Sequence, residues 1–197
     1  MFRLLCAGIC MFISLSQGMN TRHVSAGPLY SSYLLYQDDE DAVGIWRFGG
    51  EIGVINLIPH IGFKVRAAVL EYAAPSAHGP DKYEFWPVSF CTSFDLLPFL
   101  DSELLGLSLE TGIGVFFWKG FYNDAIIELP NGELMDERDI GFIAGLTLQL
   151  RPIERIGIEL GTRYNYIASA DLYKYGYSDK DDKIWENGIS LKALLPW

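Results

Sequence analysis

Apolar side chains recur at every second position through most of the chain, with small or polar residues between them. The clearest run is Leu105, Leu107, Leu109, Thr111, Ile113, Val115 and Phe117, interleaved with Gly106, Ser108, Glu110, Gly112, Gly114 and Phe116. Side chains of a strand point alternately to its two faces, so such a segment meets something greasy on one side and a tight polar space on the other. The same alternation runs through Trp46–Val54, Ile61–Val69, Ile140–Arg151, Ile156–Tyr166 and Ile189–Trp197, with Ile143 as an exception to its own strand's parity. Weaker versions occupy Leu29–Tyr36 and Tyr83–Leu97. These segments predict an all-β fold of eight strands.

The connections alternate between long and short. Residues 37–43, 73–82, 119–139 and 169–183 are long, whereas 56–60, 98–102 and the neighbourhood of Pro152 are tight. Barrels that cross an outer membrane have short periplasmic turns, longer outer loops and an even strand number. The expected architecture is therefore a single eight-stranded antiparallel up-and-down transmembrane β-barrel with both termini in the periplasm.

Composition supports this picture. Half the residues are hydrophobic, 14% are aromatic, and 20 are glycine, yet the net charge is −10. No basic stripe is present to meet phosphates, which argues against a nucleic-acid partner. The beginning of the chain reads as an export signal: Arg3, an uncharged apolar run from Leu4 to Leu15, then Ser16-Gln17-Gly18. Residues 1–18 are expected to be a signal peptide, 19–27 a short tail, and 28–197 the barrel. Cys6 and Cys10 lie inside the apolar run, leaving Cys91 as a lone wall residue.

Tyr36, Trp46, Tyr72, Tyr83, Trp86, Trp118, Tyr164, Tyr166 and Trp185 all fall near the strand ends that carry the long loops. Tyr and Trp favour membrane interfaces, where a ring is greasy on one side and wet on the other. With its strand-and-loop rhythm, and a final strand bearing Leu191, Ala193, Leu195 and Trp197 at alternate positions, the chain resembles the small eight-stranded outer-membrane barrels. The membrane domain of OmpA, OmpX and OmpW are of this kind. The resemblance covers about Pro28 to Trp197. It implies outer-membrane residence, lipid as the surrounding partner, and recognition of the final strand by the outer-membrane assembly machinery. Trp197 stands where Phe is more usual, and Pro196 precedes it.

The face opposite the apolar one carries Glu51, Lys64, Arg66, Glu110, Gln149, Arg151, Glu159, Arg163 and Lys192. Both signs are present, and an eight-stranded barrel is only wide enough for side chains to fill it. A salt-bridged lumen plug is expected, with a narrow proton or ion path as the alternative. Catalytic chemistry has little to draw on. A rim-located lipid-modifying enzyme would need Ser and His together, and the nearest approach is Ser76-Ala77-His78 in a Pro/Gly loop; His23 and His60 stand elsewhere. No His/Cys spacing suits a metal. The acidic runs Asp38-Asp39-Glu40-Asp41 and Asp179, Asp181 and Asp182 lack the ligand spacing of a calcium loop and read as solvated loop faces.

No catalytic residue, metal or cofactor is expected. The reading is a non-enzymatic outer-membrane barrel with a structural or surface-interaction role and an unidentified surface ligand. An OmpW-like carrier or narrow pore for small molecules is the alternative, with the rim enzyme third.

Overall fold

A computed structural model describes residues 22–35, 43–73, 80–97, 104–169 and 181–196. The strands are β1 (His23–Leu35), β2 (Val43–Ile45), β3 (Arg47–Ile58), β4 (Ile61–Ala67), β5 (Leu70–Ala73) and β6 (Lys82–Asp95). They continue with β7 (Leu105–Tyr122), β8 (Ala125–Ile126), β9 (Asp136–Ile153), β10 (Ile156–Ala168) and β11 (Asp182–Pro196). β2 and β3 form one wall, interrupted at Trp46, and β4 and β5 form another. The eight walls pair antiparallel with their sequence neighbours, and β1 pairs with β11 to close the ring. The fold is the all-β, closed eight-stranded barrel expected from the alternation.

Several boundaries differ from the sequence reading. β1 starts at His23, so 23–27, expected as tail, are wall residues paired with β3. The apolar alternation is weak there because Ser25 and Gly27 face inward and Pro28 outward, with no ladder partner on β11 for Gly27 or Pro28. β11 begins at Asp182, seven residues before the expected start at Ile189. Lys183 and Asn187 stand on its outward face and conceal the period.

The 119–139 connection is largely ordered. β7 runs on to Tyr122, and Asn123 and Asp124 turn the chain at φ 52° and 62°. Consecutive left-handed residues make the turn whose twist matches a two-residue hairpin. β8 then pairs back on β7, Glu128 bridges Leu134, and Gly132 turns at φ 85°. At the other end of β9 the turn falls at Glu154-Arg155, just after Pro152.

Burial is inverted relative to a soluble domain. Phe142, Ile113 and Leu191 are 63%, 55% and 55% exposed, whereas Glu110 is fully buried. The two faces of one closed sheet produce this pattern: the outward face is mostly aliphatic and aromatic, and the inward face carries the buried charges together with an apolar layer. Ile143 fits the same rule, because it keeps the inward parity of β9 and packs in an apolar layer inside the barrel.

Inward glycines are placed where walls and side chains crowd. A Cβ on Gly112 would overlap the Phe90 carbonyl oxygen and lie 2.7 Å from Cys91 Sγ, whereas one on Gly106 would meet nothing nearer than 3.8 Å. Gly112→Ala is therefore expected to destabilise the barrel by about 1–3 kcal/mol, the usual cost of overpacking. Gly106→Ala is expected to leave it unchanged. Urea midpoints of both variants in one lipid or detergent system check this, and equal midpoints would refute the close approach.

Candidate functional site

Inward-facing ionisable residues from β3, β4, β7, β10 and β11 meet in the middle and inner part of the lumen. Lys64 Nζ donates to Glu110 Oε1 at 2.5 Å and to Glu159 Oε2 at 3.1 Å. Arg163 Nε donates to Glu110 Oε2 at 2.7 Å, and the Thr147 hydroxyl donates to Glu110 Oε1 at 2.7 Å. Lys192 Nζ lies 2.5 Å from Glu51 Oε1 and 3.0 Å from Glu159 Oε2. The Ser190 hydroxyl donates to Glu51 Oε1 at 2.8 Å. A chain of alternating charge thus runs Glu51–Lys192–Glu159–Lys64–Glu110–Arg163, and Arg66 pairs with Glu186 beside it.

All eight ionisable side chains are buried. Glu51, Glu110, Glu159 and Glu186 are matched in number by Lys64, Arg66, Arg163 and Lys192. Charges withdrawn from water this far are tolerable only when paired and hydrogen-bonded. The long Arg163 side chain finds room because its neighbours lack Cβ atoms. Added Cβ atoms on Gly145 and Gly161 would lie 2.7 Å from Arg163 Cγ and 2.6 Å from its Nη1.

Gln149 and Arg151 are half-buried at the inner end. Arg151 donates to Gln149 Oε1, and Gln149 donates to Glu159 Oε1 at 3.2 Å. Glu186 was not among the candidates from sequence. It shares parity with Lys192 but lies before the expected start of its strand, so only extending the alternation back from Ser190 would have found it. Thr147 and Ser190 are likewise additional members, too weakly polar to stand out by composition. Glu159 and Arg163, both on β10, share no direct ion pair: Arg163 is held by Glu110 of β7, and Glu159 by Lys64 of β4 and Lys192 of β11.

Above this network the lumen turns apolar. Leu70, Phe85, Phe116, Trp118, Met135, Ile143, Ile167 and Ile184 form one buried cluster toward the long-loop end. Met135 comes from the ordered hairpin; it sits over Gly120, and Ile127 packs against the same cluster. Two expected interface aromatics belong to this inner layer instead. Trp118 is buried with its indole N–H donating to Asp139 Oδ2 at 2.8 Å, and Tyr83 packs against it. The physical reason is parity: β7 continues unbroken past Phe117, so Trp118 shares the inward face with Glu110, and Tyr83 shares that of Phe85.

Trp46, Trp86 and Trp185 are on the outward face at 45%, 48% and 42% exposure, and Tyr164 packs on Trp185 with ring centroids 5.2 Å apart. Tyr166, also outward, donates its hydroxyl to Asp181. Tyr36 and the Tyr72 side chain lie outside the described residues. Leu191, Ala193 and Leu195 project outward from β11, while Trp197 is outside the described residues.

His60 approaches Asp95 at 3.5 Å in an inner turn. Ser76, His78, Asp38–Asp41 and Asp179 are outside the described residues. Asp182 accepts from the Ser169 hydroxyl at 3.3 Å. Cys91 is a free, buried thiol on the lumen face.

No family model matches the chain, and no curated protein matches it. Solved structures do. Neisserial surface protein A aligns at TM-score 0.52 and 13% identity, over 89% of this chain and 97% of that one. The outer membrane protein OprG from Pseudomonas aeruginosa aligns at 0.51 and 9%, over 91% and 98%. The N-terminal β-barrel domain of Pseudomonas aeruginosa OprF aligns at 0.50 and 11%, over 89% and 99%. The fold is that of the small eight-stranded outer-membrane β-barrels.

The ion-pair geometry generates a double-mutant cycle. Arg163→Met leaves Glu110 short of one partner, and Glu110→Gln leaves Arg163 and Lys64 short of one each. Each single change is expected to cost about 3–5 kcal/mol. The double variant is expected to lose less than the sum, with coupling of about 0.5–3 kcal/mol. Urea unfolding of the reconstituted proteins measures it. Additive losses of about 1 kcal/mol or less, as for exposed pairs, would show that water fills the lumen.

Proposed function

We propose that this chain resides in the outer membrane as a sealed, non-enzymatic barrel, whose work is structural or is done by its outer surface rather than through its lumen. The observation that carries this reading is the filling of the interior by two successive layers. The inner layer consumes its carboxylates and cations in mutual ion pairs, so none of those groups is left to activate a nucleophile or hand on a proton. The outer layer, which includes Met135 and Trp118, is built mainly of packed aliphatic and aromatic side chains.

The apolar outward face supports membrane residence, since only a closed barrel lets strands satisfy their backbone groups in hydrocarbon. Trp46, Trp86, Trp185 and Tyr164 suit an interface belt near the long-loop end. Outer-membrane lipid is then the surrounding partner. The alternate outward Leu191, Ala193 and Leu195 of the last strand suit capture by the assembly machinery. Export by the amino-terminal signal completes this scheme.

A carrier of small apolar ligands is the second reading. One observation favours it: the outer lumen layer is built of aliphatic and aromatic side chains, chemistry that such a ligand would share.

Three measurements test the proposal. Leu109→Arg places a cation on the outward face and is expected to reduce insertion into bilayers by about 2–4 kcal/mol. Insertion equal to wild type would overturn the membrane assignment of that face. Asn131→Cys in a Cys91→Ser background is expected to react with an impermeant maleimide on whole cells; labelling only after the outer membrane is breached would invert the topology. Planar-bilayer recordings of the wild type are expected to be silent. A steady ohmic current would exclude a sealed lumen, and a silent barrel that speeds transfer of an apolar dye across vesicles would favour the carrier.

A further inference from the structure

Closure of the barrel rests on the seam between β1 and β11, the adjacent walls that no turn or loop joins. Its ladder lapses midway. Ala26 pairs with Ala193 and Leu29 with Ser190, but Gly27 and Pro28 have no partners on β11. The neighbouring ladders run unbroken past the same residues, β1–β3 through Gly27 and Pro28 and β10–β11 through Leu191 and Lys192. Leu194 donates its N–H to the Arg155 carbonyl, on the β10 side. Successive residues of a strand turn their backbone groups to opposite neighbours, so those of Ile189, Leu191 and Ala193 point to β1. The Leu191 carbonyl therefore faces Pro28, which has no N–H to give.

Side chains bridge the seam at that point. The register on either side puts Glu51, Gly27 and Lys192 in one inward row across β3, β1 and β11. The outer two strands of this row are about 9–10 Å apart, twice the usual spacing. With glycine in the middle, Lys192 Nζ reaches Glu51 Oε1 at 2.5 Å over β1. A Cβ on Gly27 would also overlap the Leu191 carbonyl oxygen and lie 2.8 Å from its carbon. The Ser190 hydroxyl donates to the same Glu51 oxygen at 2.8 Å. Both direct partners of Glu51 among the described residues thus lie on β11, and its Oε2 is buried without a hydrogen bond.

We propose that Glu51 is the latch of the closing seam: a carboxylate on β3 that holds β11 against β1 where the backbone ladder lapses. Glu110 has no such role. Its partners Lys64, Thr147 and Arg163 stand on β4, β9 and β10, away from the seam. The latch needs only a closed ring and is independent of whether the lumen conducts. Its release is a local event, in which bonds from β1 to β11 open while those from β10 to β11 persist. Amide hydrogen exchange resolves local openings of this kind.

The test is exchange measured amide by amide on the full barrel in lipid nanodiscs. The amides of residues 26, 30, 189, 191 and 193 point across the seam. In Glu51→Gln they are expected to exchange about tenfold faster, as for loss of one hydrogen bond to a charged group. The amides of 188, 190 and 192 point to β10 and are expected to keep their rates. Glu110→Gln is expected to leave the seam no faster than the rest of the wall. Ser190→Ala removes one donor and is expected to speed the same five amides by a smaller factor; it decides the matter if Glu51→Gln does not refold. Ala26→Cys with Ala193→Cys, in a Cys91→Ser background, joins register partners beside the lapse. Hydrogen-bonded partners lie about 5.5 Å apart at Cα, within reach of a disulfide. Oxidised, this pair is expected to return Glu51→Gln to wild-type exchange, and reduction to undo the rescue.

Equal acceleration at 188, 190 and 192, or all round the ring, would make Glu51 an ordinary member of the plug and overturn the latch. Unchanged exchange at 191 and 193, the same selective pattern in Glu110→Gln, or failure of the disulfide to restore the seam would overturn it too.

Discussion

Eight strands closed into a ring enclose a space only as wide as the side chains that line it. Every other feature of this protein answers to that width. Half of each wall's side chains must share the narrow interior, so large inward residues succeed only where inward neighbours are small. Gly145 and Gly161 leave the volume that Arg163 takes, and Gly120 leaves the volume taken by Met135. The other half project outward, where volume is unlimited and polarity is penalised, and there the Phe, Ile and Leu residues accumulate.

The same width governs the electrostatics. Eight buried inward charges meet a counter-charge directly. The partners come from different walls: Glu110 on β7 reaches Lys64 on β4 and Arg163 on β10, and Glu51 on β3 reaches Lys192 on β11. The ion pairs therefore tie walls that are not hydrogen-bonded neighbours across the lumen. Buried ion pairs are weak evidence of net stability, because desolvation offsets much of their attraction. A two-residue slip of one wall would separate its charges from the partners they have here.

The division of the lumen into a polar inner layer and an apolar outer layer bears on function. Under the proposed reading, the charged groups are committed to one another and the apolar layer lies in series with them.

Strand existence, strand number and face assignment were legible in the sequence, because a period of two is a local property of each segment. Glu51, Lys64, Arg66, Glu110, Glu159, Arg163 and Lys192 could be assigned to the inward face for the same reason. Parity could also have placed Trp118 and Tyr83 inside, but their nearness to the long connections outweighed it. Two things needed the closed structure. Which cation meets which carboxylate depends on tilt and stagger around the ring, so Glu159 and Arg163, four residues apart on one strand, bind different partners. The ordering of residues 119–139 depends on Met135 and Ile127 finding an apolar layer contributed by β5, β6, β7, β9, β10 and β11. Sequence periodicity determined the faces of each strand; contacts across the lumen and around the wall were decided by closure, because closure is what fixes the position of one strand relative to another.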